Sequence, residues 1–353
     1  MDKARKIIIF SLTRTGCIEY TTELLRAFQP HNPIVFVNKT VAHQYQYDVK
    51  TIKTYSGLIS FLYSSAFFFF NIKKIIQGIK TEYKAVTIYL PSFHFWNYFI
   101  ARQARKEGIP CFVTVHDYKT HIGERSRTVE WVQKLTMSLA TNLVFLSQSE
   151  TDKAVKGKFN NNKIFHLPHP NFDVESINKL PHNNKPNILF IGRLKEYKGF
   201  NLLIDSIKDL DIEKLTIAGQ GKTPLKSNGK IKIINGYIND DKLEYLLDTH
   251  EILVLPYLEA TQSGVLSLGF SKNMVMVVSD QPGLREQISD KSCLWIEPNS
   301  TALKNAIQKL IKNEELYINI KKNSKLEKTE FEKKWNDTFN RLIKLISSNP
   351  NIN

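Results

Sequence analysis

The sequence predicts an α/β protein with two doubly wound parallel sheets. The chain has 353 residues, more than one hydrophobic core usually organises, so two domains of similar size are expected. Short apolar runs alternate with helical patterns along the chain, as they do in βα units. A segment rich in proline and asparagine at 171–186 lacks apolar periodicity. It predicts a linker between a domain at 1–170 and a second domain at 187–326.

The predicted strands are short apolar runs, and helical stretches such as 18–28 separate them. The runs in the first half are 6–11, 34–37, 85–90, 111–116 and 142–146. Those in the second half are 187–191, 214–218, 231–233, 252–255 and 274–278. Apolar residues also recur at helical spacing near the end of the chain. The segment 327–353 is therefore predicted to contain a helix that packs back across the domains.

The composition is that of a soluble globular protein, with 42% hydrophobic and 24% charged residues, but the net charge is +15. Such a charge suits a solvated basic surface or an anionic partner: nucleic acid, a diphosphate donor or an acidic membrane. We expect no nucleic-acid partner, because no basic stretch is interleaved with aromatic residues as in known modules. The cysteines, Cys17, Cys111 and Cys293, lack metal-binding spacing, so no disulfide framework, metal or cofactor is expected.

One apolar segment raises the question of a membrane. The first apolar run, 7–12, is too short for a secretory signal, so we expect a cytoplasmic protein. We expect no run to reach the length of a transmembrane helix; the closest is 57–72, with lysines at 73, 74 and 80 after it. A buried helix is the preferred interpretation. The alternative is an apolar face, including Phe61 and Phe67–Phe70, that contacts the anionic inner leaflet of the cell membrane.

The most informative candidate site follows the strand predicted at 187–191. This strand ends in a glycine turn that presents Arg193 and then Lys198. Ligands of α/β sheets bind beyond the carboxyl ends of the strands. Two cations placed there suit a diphosphate group.

A second set of polar residues follows the strand at 252–255. Glu259 comes shortly after the strand, and Thr261, Gln262 and Ser263 lead into a helix that begins near Gly264 and Val265. Helix N–H groups bind phosphate, and a carboxylate can hold a sugar hydroxyl. A capped helix alone explains the hydroxyl residues but not Glu259. Together the two sites predict an enzyme that uses a nucleotide sugar.

Two glycines are weaker candidates for donor contacts. Gly219 begins a Gly-Gln-Gly-Lys-Thr run, but Thr216 stands where a Walker A motif needs glycine, and Pro224 interrupts the helix. A bend that approaches a nucleotide and a plain turn are both consistent with Gly219. Gly16 follows the first strand and opens a helix, where it can present N–H groups to a ligand or serve the turn alone.

Catalytic candidates in the first half are His116 and Asp117, which stand where the strand at 111–116 ends. Histidine can donate and accept protons near neutral pH, and an adjacent aspartate can fix its tautomer. His121 is a possible second contact. A hydrogen-bonded structural histidine is the alternative for both His116 and His121.

Several of these motifs resemble one family. Gly-Arg-Leu and Tyr-Lys-Gly at 192–199, Pro-Tyr-Leu-Glu-Ala-Thr-Gln-Ser-Gly-Val at 256–265, and Pro-Gly-Leu-Arg-Glu at 282–286 resemble the C-terminal domain of retaining glycosyltransferases of the GT-B fold, family 4 (glycosyl transferases group 1). Thr-Val-His-Asp at 114–117 and Leu-Pro-His-Pro at 167–170 resemble its N-terminal half. The resemblance implies two Rossmann-like doubly wound domains facing a cleft. It also implies sugar transfer, with retention, from a UDP- or GDP-linked donor to a glycan or lipid-linked glycan in surface polysaccharide synthesis.

The resemblance also implies roles for individual residues. Arg193 and Lys198 would bind the donor diphosphate, and the helix start at 263–265 would meet the phosphates or the sugar. Glu259 would be the first glutamate of the family's Glu-x7-Glu pattern, near the transferred sugar, and His116 would face that sugar.

One position departs from the family pattern. The second glutamate, which grips the ribose in the family, is replaced by Ser267. This change and the net charge of +15 leave a non-catalytic GT-B-like binding subunit of a glycosyltransferase complex as an alternative. A nucleotide-sugar epimerase of similar fold is a second alternative.

Overall fold

The chain forms two α/β units, each built on its own parallel sheet. The computed structural model describes residues 5–14, 17–55, 57–83, 85–119, 126–174, 177–221 and 226–348. The first unit comprises the described residues of 1–120, 126–170 and 335–353, and the second contains the described part of 171–334. The prediction of two doubly wound parallel sheets is confirmed.

The first unit has a seven-stranded sheet in the order β3-β2-β1-β4-β5-β6-β7, with every neighbouring pair parallel. Its strands are β1 Lys6–Ser11, β2 Ile34–Asn38, β3 Lys50–Ile52, β4 Val86–Leu90, β5 Cys111–Val115, β6 Asn142–Phe145 and β7 Ile164–His166. Its helices are α1 Ile18–Phe28, α2 Leu58–Glu82, α3 Asn97–Lys106, α4 Arg127–Leu139 and α5 Gln148–Lys156.

The second unit has a six-stranded parallel sheet in the order β10-β9-β8-β11-β12-β13. Its strands are β8 Asn187–Ile191, β9 Lys214–Gly219, β10 Ile231–Asn235, β11 Ile252–Leu255, β12 Val275–Ser279 and β13 Leu294–Ile296. Its helices are α6 Phe200–Ser206, α7 Asp240–Asp248, α8 Gly264–Ser271, α9 Pro282–Arg285 and α10 Ser300–Lys312. In each sheet the strand order reverses once, at β1/β4 and at β8/β11, which is where such folds bind ligands.

Burial on both faces explains why the strands read as continuous apolar runs. In β1, Ile8 and Phe10 pack into one hydrophobic cluster, and Ile7 and Ile9 pack into another on the opposite face. The sheet of the first unit is thus an inner layer between two apolar cores.

The last helix, α11, runs from Glu314 to Ser348 and begins earlier than the predicted 327. Tyr317 and Ile320 near its start belong to the core of the second unit. Trp335, Phe339 and Leu342 near its end belong to a core cluster of the first unit. The ring of Phe339 meets that of Phe28 edge to face, with 4.9 Å between centroids.

The segment 171–186, predicted as a linker, lies within the second unit. The buried Asn178 side chain donates hydrogen bonds to the carbonyls of Leu247 and His250, at 2.7 and 3.0 Å. The Lys321 ammonium in turn donates to the Asn178 side-chain oxygen at 3.0 Å. These bonds fix the segment to α7, to the turn between α7 and β11, and to α11.

Three strands were not predicted: β3, β7 and β13. Each has only three residues and lies at an edge of its sheet. An apolar run this short carries no periodicity that separates it from a loop, and the hydrogen bonds to a neighbouring strand define it instead.

Helix α2 differs most from its prediction, because only one face of it is buried. Phe68, Ile72, Ile76 and Ile79 enter the core, as expected of a buried helix. Phe67 and Phe70, however, are largely exposed, so the buried-helix interpretation is wrong for them. The expectation of no membrane-length segment is also overturned, because 59–82 is, by length and composition, long and apolar enough to span a bilayer.

Candidate functional site

The turns that follow β8 and β11 are joined through their backbones. The Leu258 N–H donates to the Tyr197 carbonyl at 2.8 Å. Gly199 has φ of +66°, and a Cβ at this position would lie 1.8 Å from the Pro256 carbonyl oxygen. Only glycine fits such a close approach. The turn that carries Lys198 is therefore fixed against the segment that leads to Glu259, at the point where the strand order reverses.

Two tyrosines hold the two predicted cations. The Lys198 ammonium lies 3.6 Å from the centroid of the Tyr257 ring. The Arg193 guanidinium donates a hydrogen bond of 2.6 Å to the Tyr197 hydroxyl. A cation over an aromatic face is stabilised and restricted in orientation. The structure therefore brings Arg193 and Lys198 to one edge of the sheet on restrained side chains.

The N-terminus of α8 belongs to the same assembly. Ser263 caps the helix by accepting a hydrogen bond from the Leu266 N–H, and its hydroxyl shares another with Tyr257 at 3.3 Å. Burial raises the pKa of Tyr257 to about 12, so its phenol is neutral and can donate. Tyr257 thus links the Lys198 ammonium to the helix end whose first N–H groups lack intrahelical partners.

A buried glutamine that the sequence analysis missed organises this helix end. The Gln287 side-chain oxygen accepts from the Ser263 N–H at 2.7 Å, and its amide donates to the Ser263 carbonyl at 3.1 Å. The same amide donates to the Ser267 hydroxyl at 2.9 Å. Ser267, the residue at the second glutamate position, is therefore buried and hydrogen bonded within the protein. Gln287 directly follows the Pro-Gly-Leu-Arg-Glu turn, and that motif was the feature of the sequence that could have pointed to Gln287.

The remaining predicted residues of this segment lie between β11 and α8. Glu259 and Gln262 are half-buried, and Thr261 is buried. The Thr261 carbonyl packs against Gly283 of α9, and a Cβ on Gly283 would lie 2.0 Å from the Thr261 carbonyl oxygen. Helix α9 therefore packs directly against this loop. Gly264 and Val265 form the first turn of α8.

Gly219 is required by the backbone at the end of β9. It has φ of +147°, and a Cβ there would lie 1.7 Å from the Gly192 carbonyl oxygen. This contact joins the turn after β9 to the turn after β8. Lys222 and Thr223, which complete the Walker-like run, lie outside the described residues.

An amide at the start of the second unit was also missed. Asn171 has both side-chain polar atoms buried, and neither has a hydrogen-bond partner within the described part of the chain. The next residue, Phe172, lies 3.6 Å from where a Cβ on Gly264 would be. Buried amides without partners are uncommon, which marks the surroundings of Asn171 as a candidate ligand contact.

In the first unit, His116 directly follows β5 and its ring packs on Tyr20, with 4.8 Å between centroids. Its Nε2 donates to the Pro91 carbonyl at 2.9 Å. Burial by itself lowers the pKa of His116, but the Cys17 thiol, the Pro91 carbonyl and Asp117 outweigh it and raise that pKa to about 9. The ring is therefore anchored, and it is protonated at neutral pH. Gly16 and His121 lie outside the described residues.

Asp117 follows His116, and its backbone carbonyl accepts a hydrogen bond from the Gln133 side chain. His169, which was not predicted, also contacts the Tyr20 ring, at 5.6 Å. Within the described ranges, no three His, Cys, Asp or Glu side chains are grouped so that they could hold a metal ion.

The buried histidines predict a pH dependence of stability. Burial, and then the Arg14 guanidinium, lower the pKa of His94 to about 4, and burial likewise lowers the pKa of His169 to about 4. The unfolded chain has histidine pKa values of about 6.5, so it binds more protons between about pH 4 and 6.5. The free energy of unfolding should therefore fall as pH decreases through this window.

Urea unfolding between pH 4 and 7 would measure this loss. His169→Asn should flatten the slope, whereas His43→Asn, on an exposed side chain, should leave it unchanged. An unchanged slope in His169→Asn would contradict the assignment.

One segment of the second unit matches a known protein family. Residues 185–313 match the family described as "Glycosyl transferases group 1". No curated protein matches the chain.

Solved structures share the fold at low identity. A glycosyltransferase from Rickettsia africae has a TM-score of 0.71 and 16% identity, over 98% of this chain and 100% of that one. HepE from Anabaena, solved with UDP-glucose, has a TM-score of 0.74 and 14% identity, over 95% and 99%. A putative UDP-N-acetylglucosamine 2-epimerase from Listeria monocytogenes has a TM-score of 0.59 and 12% identity, over 91% of each chain.

The family match covers the segment that carries Arg193, Lys198 and Glu259, and the structural likeness covers nearly the whole chain. Residues 185–313 match the family of group 1 glycosyltransferases, and the chain has the two-domain GT-B fold of the solved structures.

Proposed function

We propose that this enzyme transfers a sugar from a nucleoside diphosphate sugar to a hydroxyl of a glycan or lipid-linked glycan, with retention of anomeric configuration. One observation carries the proposal: Lys198, Arg193 and the start of α8 are tied together at the strand-order reversal of the second sheet. Two restrained cations and a helix N-terminus are the groups that a diphosphate-binding site requires. HepE, a structure of the same fold, was solved with UDP-glucose, which supports a donor of the UDP class.

In this proposal the bond between the sugar C1 and the β-phosphate oxygen breaks, and a bond from C1 to the acceptor oxygen forms on the same face. The acceptor hydroxyl proton passes to the leaving phosphate oxygen. Negative charge grows on the diphosphate as the bond breaks, and Arg193, Lys198 and the α8 N–H groups stabilise it. These groups supply positive charge at the leaving group, so we propose no metal cofactor.

Further roles in the proposal rest on position. Glu259 would hold a hydroxyl of the transferred sugar, next to the cation turn. His116 and Asp117 remain proposed catalytic residues. Gly16, Gly219, Thr261 and Gln262 remain proposed donor contacts. Because Ser267 is bonded to Gln287, other groups would bind the ribose.

The setting is part of the proposal as well. The enzyme would work in the cytoplasm, at the inner face of the cell membrane, in the synthesis of a surface polysaccharide. A net charge of +15 favours anionic substrates and an anionic leaflet.

The test is a mass-spectrometric screen of UDP- and GDP-sugars with the full chain, with the anomeric configuration of any product determined by NMR. We expect one donor class to be hydrolysed slowly alone and transferred in the presence of acceptor. Binding of a nucleotide without turnover would support the non-catalytic subunit instead. Release of an epimerised sugar nucleotide would support the epimerase. Failure to bind or consume any donor would refute the proposal.

A further inference from the structure

The outward face of α2 is apolar along its first half. Ile59, Tyr63, Phe67 and Phe70 are 75%, 78%, 73% and 69% exposed, and Leu62 is 64% exposed. Spaced three and four residues apart, they form one stripe on the helix, about 17 Å long at 1.5 Å per residue. Isolated apolar side chains are common on protein surfaces, but a contiguous apolar patch of this length indicates an interaction surface. We call it the α2 stripe.

The outward face becomes basic where the stripe ends. Lys73, Lys74 and Lys80 are exposed on the following turns, and Arg102, Arg105 and Lys106 are basic residues on the adjacent α3. The α2 stripe therefore has a cationic border.

The inward face of α2 is held firmly in the first unit. The Phe68 ring stacks on Trp96, with 4.2 Å between centroids, and the Trp96 indole N–H donates to the Ser65 hydroxyl at 2.8 Å. Ile72 and Ile76 are buried in the same core. The helix cannot cross a bilayer without losing these contacts, so it can enter a membrane only along its outward face.

A groove lies beside the stripe, between α2 and α3. It has a volume of about 420 Å³, and its lining includes Phe69, Phe70, Lys73 and Lys106. Glu107 also lines it, but its carboxylate accepts from the amides of Gln77 and Gln103 and from Lys80. Lys73 and Lys106 form no ion pair within the described residues. The groove thus offers two cations next to two aromatic rings.

We infer that the α2 stripe and its lysines dock the enzyme on an anionic phospholipid bilayer. The aromatic side chains would enter the boundary between headgroups and acyl chains, and Lys73 with Lys106 would bind the phosphate of one headgroup in the groove. The basic border argues for a lipid surface over a second copy of this chain, because each copy would bring the same positive charge. This inference deepens the proposed function, since it places the enzyme at a membrane that carries its acceptor.

The test is co-sedimentation of the full chain with vesicles of phosphatidylcholine alone or mixed with phosphatidylglycerol, without any sugar donor. We expect binding only to the mixed vesicles, partly released by salt. Phe67→Ser with Phe70→Ser should weaken binding at least tenfold, about 1.4 kcal/mol. The matched control is Tyr245→Ser with Leu326→Ser, which removes two exposed apolar side chains of the second unit.

The lysines need a control of equal charge. Lys73→Glu with Lys106→Glu should abolish the preference for phosphatidylglycerol. Lys309→Glu with Lys312→Glu makes the same change of net charge on α10 and should retain most of the binding. Circular dichroism would confirm that each variant is folded.

Three results would overturn the inference. The first is equal binding of wild type to both kinds of vesicle, and the second is an equal loss in the α2 variants and their controls. The third is a wild-type protein that does not bind vesicles and is a dimer by light scattering, if Phe67→Ser with Phe70→Ser converts that dimer to a monomer. Because no donor is used, these results are independent of the donor screen.

Discussion

Replacing Lys198 with alanine is expected to lower the turnover number by about 10²–10³-fold, the range seen when one stabilising group is removed from a developing negative charge. The ammonium is held over the Tyr257 ring at 3.6 Å, beside the helix end that would meet the same diphosphate. Its contribution should grow as the leaving group gains charge, so turnover should fall more than donor affinity.

The control for this prediction is Lys195→Ala, which removes an exposed cation from the same turn. It should change turnover by less than about twofold, because solvent and salt screen the charge of an exposed side chain. Steady-state rates with the donor found in the screen would provide the measurement, with thermal unfolding to check folding. Equal rates for Lys198→Ala and Lys195→Ala would remove Lys198 from the proposed mechanism.

Replacing Gly199 with alanine is expected to lower the free energy of unfolding of the second unit by about 2–5 kcal/mol. The left-handed φ of +66° contributes about 1–2 kcal/mol, and crowding of the Pro256 carbonyl contributes the remainder. The substitution should also reduce activity, because the same contact positions Lys198 against the segment that leads to Glu259.

Gly236→Ala separates the two causes. Gly236 also has positive φ, +155°, but a Cβ there meets nothing within 4 Å. Urea unfolding followed by circular dichroism should therefore show a smaller loss for Gly236→Ala than for Gly199→Ala. Equal losses in the two variants would show that the contact with Pro256 relaxes at little cost.

The parts of the fold that the sequence predicts are those defined by local pattern. Strands such as β8 and β11 are apolar runs bounded by turn residues. The polar residues that come after them in sequence, Arg193 and Glu259, mark the carboxyl edge of a parallel sheet. The register of a parallel sheet brings these edges together, so strand order alone predicts the meeting of the two segments.

The bonds that fix the site geometry were not predictable in the same way. Gln287 reaches Ser263 and Ser267 across 24 and 20 residues, and Tyr257 lies between Lys198 and Ser263 only after the sheet has formed. Such contacts depend on tertiary placement and leave no periodic trace in the sequence.

Helix α2 shows the same limit for surfaces. Its phenylalanines are consecutive in sequence, and a run of apolar residues does not reveal which side of a helix finds a partner. The contact of Phe68 with Trp96 shows that the face of α2 carrying Phe68 is buried. Helical geometry then places Phe67 and Phe70 on the exposed face.

The last helix has a consequence for how the protein is made. Trp335, Phe339, Leu342 and Ile346 complete a core that begins with the strand at Lys6–Ser11. A ribosome releases the start of the chain long before those residues exist. The nascent first unit therefore lacks the contact of Phe339 with Phe28 until all of the second unit has been synthesised. Its burial is finished last although its sequence comes first.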